Sequence, residues 1–457
     1  MTVIGLGIEG IDLVRFLTSE GAHVTVSDAR PPEQLVTQLA AIEGCDARLS
    51  LGANRVEDAV EADALFVSQG VPNDLPALVA AEAKGVPVSS MLGVFLDRCP
   101  APVCGITGSA GKTTTTALVG AMLEAAEIDH VVGGNIGVGL LAQLPSVSAT
   151  TKVVVEMSHT QLERVSRSPE VACVTNVTPN HLDRFTWDAY VGLKRRVFRF
   201  QHPGDAAVFN VDDEVARGFS EEARQIGTRV LTSSRRTRIA ADGAMLEGDR
   251  IVRVLDGDAA EVMRRDEIAL RGEHNVENVL SAVAAASLLG VSPEAAARAV
   301  RAFAGVPHRL EPVAVVDGVS YINDSIATAP ERTLAGMRSF TEPLVLLLGG
   351  RDKNLPTSAL GEEIVRRCRA VIAFGEATDL YAGAVRSTPG SDRVLLRQVA
   401  DVPSAVRAAA EVAESGDVVL FSPAGTSFDA YQNFEARGQA FREAVAALRG
   451  ASDGGAR

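Results

Sequence analysis

The stretch TGSAGKTT, residues 107–114, carries the residue types that bind phosphate groups. It follows the apolar run PVCGI and precedes an alanine-rich stretch, so we predict a strand, a glycine-rich loop and a helix beginning near Lys112. Backbone N–H groups of such a loop surround phosphates, Lys112 reaches the outer ones, and the Thr113 hydroxyl can hold Mg²⁺. The strict P-loop pattern fails because Ile106 stands where its first glycine belongs. A glycine-rich turn with an exposed lysine is the alternative.

Three further residues lie after later apolar runs, where a metal–nucleotide site could form. Glu156 ends the run KVVVE, His181 follows VACVTNV, and Lys194 comes thirteen positions later, in or near a predicted helix start. A phosphate loop combined with a strand-end carboxylate favours such a site. Taken singly, Glu156 would more often be a solvated strand end and His181 a hydrogen-bonded polar histidine. Only their joint position after the phosphate loop makes them candidates.

Lysine is rare in this chain, which makes Lys194 informative. The 44 basic residues include lysine only at positions 84, 112, 152, 194 and 353, and Lys194 stands directly before two arginines in YVGLKRRVF. A lysine amine can give up its proton or carry a modification, whereas a guanidinium effectively cannot. The sequence therefore favours a task for Lys194 that arginine could not perform, with chance as the alternative.

The N-terminal stretch VIGLGIEG has the glycine spacing of a dinucleotide-binding turn. Gly5, Gly7 and Gly10 fit GxGxxG between a predicted strand and helix, and Asp28 ends the next strand. The N-terminus of the helix would face a diphosphate. We predict a nucleotide site here without naming the nucleotide; a tight-turn α/β domain without a ligand is the alternative.

Later in the chain, polar residues again follow predicted strands or begin helices. Asn275 and Asn278 lie one helical turn apart and can face one ligand, although helix capping would also explain them. Arg309 could reach a phosphate or form a surface ion pair. The loops INDSIAT, GGRDKN and SPAGTSFD follow apolar strands and suit a small ligand that carries a carboxylate.

These residues must be positioned by apolar runs that alternate with alanine- and leucine-rich helical stretches. Runs such as KVVVE, PLVLLLGG and DVVLFSP are apolar on both faces, as strands of a buried parallel sheet are. We therefore predict an α/β protein, with a small antiparallel portion at 233–265. A length of 457 residues allows about three domains. The prolines of RCPAPVC and the strand after GVPHRLE divide the chain into 1–92, 93–305 and 306–457.

The composition of the chain disfavours several classes of protein. A net charge of −14 disfavours sequence-independent binding of nucleic acid. The five scattered cysteines, without a CxxC pair, predict reduced thiols rather than disulfides or zinc. The N-terminus lacks the basic region of a signal peptide, and no apolar run is long enough to span a membrane. We expect a cytoplasmic protein, and a monomer because nothing in the sequence favours oligomerisation.

Taken together, the motifs resemble the Mur ligase family, the ATP-dependent amino-acid ligases of peptidoglycan precursor synthesis, over nearly the whole chain. The motifs that carry the resemblance are TGSAGKTT, GGNIG, EMSHTQLE, NVTPNHLDR, YVGLKRRVF, GEHNVEN, GVPHRLE, INDSIAT and SPAGTSFDAYQNFEARG. The family's loop also lacks the first P-loop glycine. The last third is similar to the branch that joins D-glutamate to UDP-N-acetylmuramoyl-L-alanine through an acyl phosphate.

The resemblance implies a Rossmann-like N-terminal domain for the UDP-sugar. It further implies a central P-loop-type ATPase domain with a mostly parallel sheet, and a Rossmann-like C-terminal domain for amino acid and ATP. The implied catalytic residues are Lys112, Glu156, His181 and Lys194. The implied magnesium ligands are Thr113, Glu156, His181 and Lys194 as its carbamate.

The resemblance also implies three sets of substrate contacts. For ATP these are Gly108, Ser109, Ala110, Gly111, Lys112, Thr113, Thr114, Asn275, Asn278, Arg309 and Asp324. For the UDP-sugar they are Gly7, Ile8, Glu9, Asp28, Arg30, Gly70, Asn135, Gln161 and His181. For glutamate they are Thr328, Lys353, Ser427 and Phe434.

The sequence departs from the family pattern at a few positions. His159 and Thr160 replace the usual Ser and Phe, Ile326 replaces a lysine, and Glu9 replaces a small polar residue in the sugar-nucleotide loop and needs a partner. These departures leave the choice between D- and L-glutamate open. Three other classes also remain: a superfamily ligase with another acceptor, such as a folylpolyglutamate synthase, a P-loop ATPase, and an inactive nucleotide-binding regulator.

Overall fold

The computed structural model describes the chain in two compact units. The described residues are 1–134, 139–180, 184–239, 241–270, 272–352 and 355–454, without the side chains of 450–454. One unit takes in residues up to 303, apart from a short segment at 270–272, and the other takes in that segment and residues from 304 onwards.

The first unit begins with a small parallel sheet flanked by helices. Its strands and helices are β1 Thr2–Ile4, α1 Ile8–Ser19, β2 Val24–Asp28, α2 Val36–Ala41, β3 Ala47–Leu51, α3 Val56–Val60, β4 Leu65–Val67, α4 Pro76–Ala83, β5 Val88–Ser89 and α5 Met91–Arg98. The order β3-β2-β1-β4-β5 is that of a Rossmann-like half. The chain reverses direction across the sheet between β1 and β4, so the loops after these two strands form a crevice.

A second sheet of the same unit contains the predicted phosphate loop. Its strands are β6 Val103–Thr107, β7 His130–Gly134, β8 Lys152–Glu156, β9 Val171–Val174, β10 Ala206–Asn210, β11 Arg229–Ser234, β12 Gly243–Glu247, β13 Arg250–Leu255 and β14 Asp258–Arg264. Its helices are α6 Lys112–Ala125, α7 His159–Leu162, α8 Trp187–Arg199, α9 Glu214–Gln225, α10 Glu273–Leu288 and α11 Pro293–Ala302. Strand β6 lies between β8 and β9, so its loop opens beside the ends of both.

This second sheet is parallel from β7 to β12, and β13 and β14 extend it as an antiparallel edge. The antiparallel portion predicted at 233–265 is therefore confirmed, as part of the sheet. The inner strands β6, β9 and β10 are buried along their whole length. Such burial on both faces explains why their sequences are continuously apolar.

The second unit folds around a sheet of its own. Its strands and helices are β15 Glu311–Val316, β16 Val319–Asn323, α12 Pro330–Met337, β17 Leu344–Gly349, α13 Ser358–Arg367, β18 Cys368–Phe374, α14 Thr378–Arg386, β19 Leu395–Val399, α15 Val402–Ala410, β20 Val418–Ala424 and α16 Phe434–Gly454. In the order β15-β16-β20-β17-β18-β19, the edge strand β15 is antiparallel and the other pairs are parallel. The three predicted loops follow β16, β17 and β20, so they share one edge of this sheet.

The structure corrects the position of Lys194. It was predicted in or near a helix start, but it lies in the middle of α8. The first turn is set earlier, where the Thr186 side chain accepts a hydrogen bond from the Ala189 N–H. Tyr190, Lys194 and Phe198 recur every four residues and form the buried stripe of the helix. The apolar periodicity around the lysine, rather than a cap beside it, was the relevant signal.

The boundary proposed at residues 92 and 93 falls inside helix α5, Met91–Arg98. Leu92 and Phe95 of this helix pack in the same apolar core as Val103 of β6. The first two sheets therefore share a core within the first unit. The domain limits 1–92, 93–305 and 306–457 remain our proposal.

Candidate active site

The glycine-rich loop joins β6 to the N-terminus of α6. The ammonium of Lys112 donates hydrogen bonds to the carbonyl oxygens of Gly108 (2.9 Å) and Ser109 (3.1 Å), so the lysine folds over its own loop. Thr113, in the first turn of α6, is buried, and Thr114 is half-buried. The N–H groups of a helix N-terminus and an adjacent ammonium form a site for anions.

The loop is held in shape by the segment that follows β9. The N–H groups of Ser109 and Ala110 donate to the carbonyl oxygen and side-chain oxygen of Asn176, both at 2.9 Å. The Thr175 hydroxyl donates to the Ala110 carbonyl oxygen at 2.6 Å, and the Thr178 N–H donates to the Ser109 hydroxyl at 2.9 Å. These contacts between the loop and the segment after β9 fix the shape of the loop.

Gly111 connects the loop to one of the predicted asparagines. It caps the N-terminus of α6 with φ +82°, a left-handed conformation that favours glycine. A Cβ at this position would lie 2.2 Å from the Asn278 side-chain oxygen. The Asn278 amide in turn donates to the Asn275 side chain at 3.0 Å, so both asparagines lie beside the loop.

Glu156 ends β8 next to the phosphate-loop strand. It pairs in register with Ile106 of β6 and is buried, rather than solvated as a strand end usually is. The Thr107 hydroxyl donates to the Met157 carbonyl oxygen at 2.7 Å, which ties the ends of the two strands together. A buried carboxylate and the Thr113 hydroxyl are hard oxygen donors of the kind that fits Mg²⁺.

Lys194 reaches the same strand ends from α8. It is 1% exposed, and its Nζ lies 3.2 Å from the Thr107 hydroxyl oxygen. Burial holds the pKa of the Lys194 amine well below its ordinary value, the Lys112 ammonium lowers it further, and the Glu156 carboxylate opposes both. An amine with so low a pKa is more readily neutral, and a neutral amine is nucleophilic.

The Tyr190 ring packs against this amine, and further rings pack around Tyr190. The Tyr190 ring centroid lies 5.4 Å from the Lys194 Nζ, and its hydroxyl lies 3.0 Å from the Ser109 hydroxyl in the phosphate loop. His159 packs between the rings of Phe185 and Tyr190, with centroids 5.6 and 5.8 Å away. His159, one of the departures from the family pattern, therefore belongs to the wall of the site.

The first sheet brings together several residues of the predicted UDP-sugar set. The Asp28 carboxylate accepts hydrogen bonds from the Leu6 N–H (2.8 Å) and from the Arg30 guanidinium (2.7 and 2.9 Å). Burial opposes ionisation of Asp28, but the Arg30 guanidinium and two backbone N–H groups prevail and lower its pKa. Gly10 allows α1 to approach β1, because a Cβ there would lie 2.0 Å from the Gly5 carbonyl oxygen.

The Glu9 carboxylate has the hydrogen-bond partners that we expected it to need. It lies in the first turn of α1 rather than in the loop, and it is buried. Its carboxylate accepts hydrogen bonds from the Gln69 side chain (2.7 Å), the Gln69 N–H (3.1 Å) and the Gln161 side chain (2.9 Å). Gly70 and Arg164 line the pocket that opens beside this cluster. Ile8, also predicted for the UDP-sugar, is strongly exposed.

In the second unit, Asp324 follows β16 and is buried. It accepts hydrogen bonds from the Ser422 hydroxyl (2.8 Å) and the Leu310 N–H (3.2 Å). Burial raises the pKa of Asp324 to about 7, although both hydrogen bonds and the Arg309 and Arg332 guanidinium groups lower it. Arg309 and Asp324 are therefore neighbours.

Arg437 is the residue of this edge that the sequence interpretation missed. It is fully buried and donates to the Ser325 hydroxyl (3.1 Å), the Ser325 carbonyl oxygen (2.8 Å) and the Gly425 carbonyl oxygen (2.9 Å). The Ser325 hydroxyl also donates to the Phe434 carbonyl oxygen at 2.8 Å. Arg437 thus joins the loops that carry Thr328 and Ser427. Its place in the motif NFEARG was the signal that the sequence offered. The structure adds that the side chain is buried, and arginine is almost never fully buried without partners.

Three predicted site residues, Asn135, His181 and Lys353, lie outside the described residues. Within the part of the chain that the structure describes, no three His, Cys, Asp or Glu side chains converge as a metal centre. Among the same residues, no helix is long and apolar enough to cross a membrane. The cysteines at 45, 99, 104, 173 and 368 are free thiols, as predicted.

Comparison with known proteins identifies the family. Residues 1–90 match the model of the Mur ligase MurD-like N-terminal domain, residues 106–286 the Mur ligase middle domain, and residues 308–425 the Mur ligase glutamate ligase domain. The chain belongs to the Mur ligase family, with its three-domain α/β fold.

Individual relatives match along nearly the whole chain. The UDP-N-acetylmuramoylalanine--D-glutamate ligase of Symbiobacterium thermophilum is 42% identical over 98% of this chain and 97% of its own. The enzyme of the same name from Roseiflexus sp. is 40% identical over 97% of each chain. The crystal structure of MurF from Acinetobacter baumannii matches with a TM-score of 0.58 at 17% identity, covering 96% of this chain and 93% of that one, and supports the fold alone.

Proposed function

We propose that this protein is an ATP-dependent ligase that joins D-glutamate to UDP-N-acetylmuramoyl-L-alanine, releasing ADP and phosphate in peptidoglycan precursor synthesis. Full-length relatives of 35–42% identity carry the name of this ligase. One observation in this chain carries the proposal: three residues of opposite charge lie close together. They are Lys112 at the start of α6, Glu156 at the end of β8 and Lys194 in α8. A plain nucleotide-binding regulator has no need of a buried lysine beside a second lysine and a carboxylate.

We assign the phosphate loop to the transfer of the γ-phosphoryl group. The loop N–H groups and the start of α6 hold the phosphates, and the Lys112 ammonium neutralises charge that develops on the transferring group. Asn275 and Asn278, which lie beside the loop, contact the rest of the nucleotide in this assignment. Arg309 and Asp324 contact the same nucleotide in this assignment.

Thr113, Glu156, His181 and the carbamate of Lys194 would hold magnesium, which stabilises negative charge on the phosphoryl group and the acceptor carboxylate. The carbamate forms when the neutral Lys194 amine attacks carbon dioxide and loses a proton, giving an anionic oxygen ligand. The burial that lowers the pKa of Lys194 favours the neutral amine required for this step. Arginine could not undergo it.

The bond-making steps follow from the weak reactivity of a carboxylate. The alanyl carboxylate oxygen attacks the γ-phosphorus of ATP, the bond to ADP breaks, and an acyl phosphate forms. The amine of glutamate then attacks the acyl carbon, a proton is lost from nitrogen, and phosphate leaves. Water would hydrolyse the acyl phosphate, so the site must exclude water while this intermediate is present.

The remaining sets bind the two other substrates. The residues assigned to the UDP-sugar are Gly7, Ile8, Asp28, Arg30, Gly70, Asn135, Gln161, His181 and Glu9, the last of which holds the Gln161 carboxamide. Thr328, Lys353, Ser427 and Phe434 are assigned to glutamate; Thr328 and Ser427 lie on loops that Arg437 joins. We assign the reaction to the cytoplasm, where its nucleotide substrates are, and to a monomer.

The experiment is phosphate release by the purified protein with ATP, Mg²⁺ and either UDP-N-acetylmuramoyl-L-alanine or a folate acceptor, with D-glutamate, L-glutamate or neither. We expect release that requires D-glutamate. A requirement for L-glutamate would instead make Ile326 and His159 specificity determinants. Release without an amino acid would indicate a plain ATPase, and release only with a folate acceptor would indicate another branch of the superfamily.

A further inference from the structure

The buried Glu9 carboxylate is the centre of a hydrogen-bonded cluster made of residues distant in the sequence. Gln69 follows β4 of the first sheet, whereas Gln161 belongs to α7 beside the second sheet. Both carboxamides donate to the same carboxylate oxygen of Glu9, at 2.7 and 2.9 Å. The other oxygen accepts from the Gln69 N–H at 3.1 Å. The carboxylate therefore acts as an acceptor for three protein donors.

The two glutamine side chains are also fixed at their other ends. The Gln161 side-chain oxygen accepts from the Ser158 N–H at 3.0 Å, within the capping box of α7. The Gln69 side-chain oxygen accepts from the Thr160 hydroxyl at 3.0 Å. Each carboxamide can satisfy these partners in one orientation only, with its NH₂ group towards Glu9.

We propose that Glu9 is a positioning residue that sets the orientation of Gln69 and Gln161 and so fixes the first sheet against α7. Glu9 acts through these side chains, because protein donors take three of the acceptor positions of its carboxylate. The cluster lies in the wall of the pocket lined by Gly70 and Arg164, and Gln161 comes five residues after Glu156. The cluster thus aligns the site of the UDP-sugar with the site of the chemistry, an inference that rests on the proposed function.

The charge of Glu9 is essential to this role. In Glu9→Gln the new NH₂ group must face either the NH₂ groups of Gln69 and Gln161 or the Gln69 N–H, so at least one hydrogen bond is lost. We expect the Kd for UDP-N-acetylmuramoyl-L-alanine, measured by calorimetry without ATP or glutamate, to rise about tenfold, as loss of a hydrogen bond to a charged group implies. The KM for ATP should stay within about twofold, because the phosphate loop is not touched.

A double variant tests orientation directly. In Glu9→Gln with Gln161→Glu, the new carboxylate accepts from the Ser158 N–H and from the carboxamide introduced at position 9, so that pair is restored with reversed polarity, while the Gln69 NH₂ group still faces the same carboxamide. We therefore expect the double variant to recover part of the lost affinity, and Gln161→Glu alone to bind no better than Glu9→Gln. Glu20→Gln, an exposed carboxylate at the end of the same helix, is the matched control and should bind like the wild type.

Several results would overturn the inference. These are unchanged binding by Glu9→Gln, an equal loss of UDP-sugar and ATP binding with a lower melting temperature, and a double variant no better than Glu9→Gln. A wild-type protein that binds the UDP-sugar but forms no product contradicts the ligase assignment while leaving the Glu9 comparison valid. A wild-type protein that does not bind this nucleotide overturns both.

Discussion

The Lys194 amine lies 3.2 Å from the Thr107 hydroxyl, at the end of the strand that leads into the phosphate loop. That hydroxyl also donates to the Met157 carbonyl oxygen, one residue after Glu156. Through the Thr107 hydroxyl, the lysine is thus connected to the strand before the phosphate loop and to the backbone just after Glu156. This relationship links a residue singled out by its rarity to the two motifs that define the chemistry.

Replacing Lys194 by arginine should therefore abolish turnover while leaving a basic residue in place. We expect kcat to fall by at least about 100-fold, equivalent to roughly 2.7 kcal/mol of barrier, because guanidinium cannot form a carbamate. Lys152→Arg, at the start of β8, is the matched control and should retain activity. Labelled bicarbonate should add the mass of one carbon dioxide to the wild type only, and an active, unlabelled Lys194→Arg would refute the assignment.

Gly111→Ala should weaken ATP binding selectively. The added Cβ would lie 2.2 Å from the Asn278 oxygen, and φ +82° is unfavourable for alanine. The loop must therefore shift away from the asparagines, and we expect the KM for ATP to rise at least about tenfold, or ~1.4 kcal/mol. Gly218→Ala in α9, where a Cβ meets no neighbour, should keep the KM for ATP and slightly stabilise the protein. Equal KM values for the two variants would contradict this role of Gly111.

The buried Asp324 should make the stability of the second unit depend on pH. Its pKa is about 7 in the folded protein but near 4 when unfolded, so between these values the folded state holds a proton that the unfolded state has released. The stabilisation is complete below about pH 4 and decreases by up to about 1.4 kcal/mol per pH unit as pH rises to about 7. Urea unfolding of Asp324→Asn from pH 4 to 8 should show a flatter profile. Glu331→Gln, an exposed carboxylate, should retain the wild-type slope.

Arg437→Met should damage both the second unit and the glutamate site. It leaves the Ser325 and Gly425 carbonyl oxygens without their donor, and we expect a loss of about 3 kcal/mol in the free energy of unfolding. The KM for glutamate should rise by more than the KM for ATP. Arg449→Met, on the exposed face of the same helix, is the control. A stable Arg437→Met with normal glutamate affinity would show that the loops hold their positions without the arginine.

The phosphate loop and the strand-end residues were predictable because both depend on short-range patterns. The strand, the glycine-rich loop and the start of α6 at Lys112 follow from local sequence, and Glu156 ends its strand as predicted. The loops after β16, β17 and β20 likewise follow from apolar runs that end in small polar residues. Parallel topology then brings these strand ends to common edges.

What could not be predicted depends on contacts between residues distant in the sequence. The burial of Lys194 follows from packing of the whole face of α8, and the partners of Glu9 are 60 and 152 residues away. Arg437 is visible as a motif residue, but its three hydrogen bonds to the Ser325 and Gly425 loops require the folded sheet. No pattern within a single segment contains this information.

The most direct test of the ligase assignment is the identity of the product. The protein should be incubated with ATP, Mg²⁺, UDP-N-acetylmuramoyl-L-alanine and D-glutamate. The nucleotides should then be separated, and their masses measured by mass spectrometry. We predict UDP-N-acetylmuramoyl-L-alanyl-D-glutamate, formed in equal amount with ADP and phosphate. Formation of ADP and phosphate without this product would contradict the account.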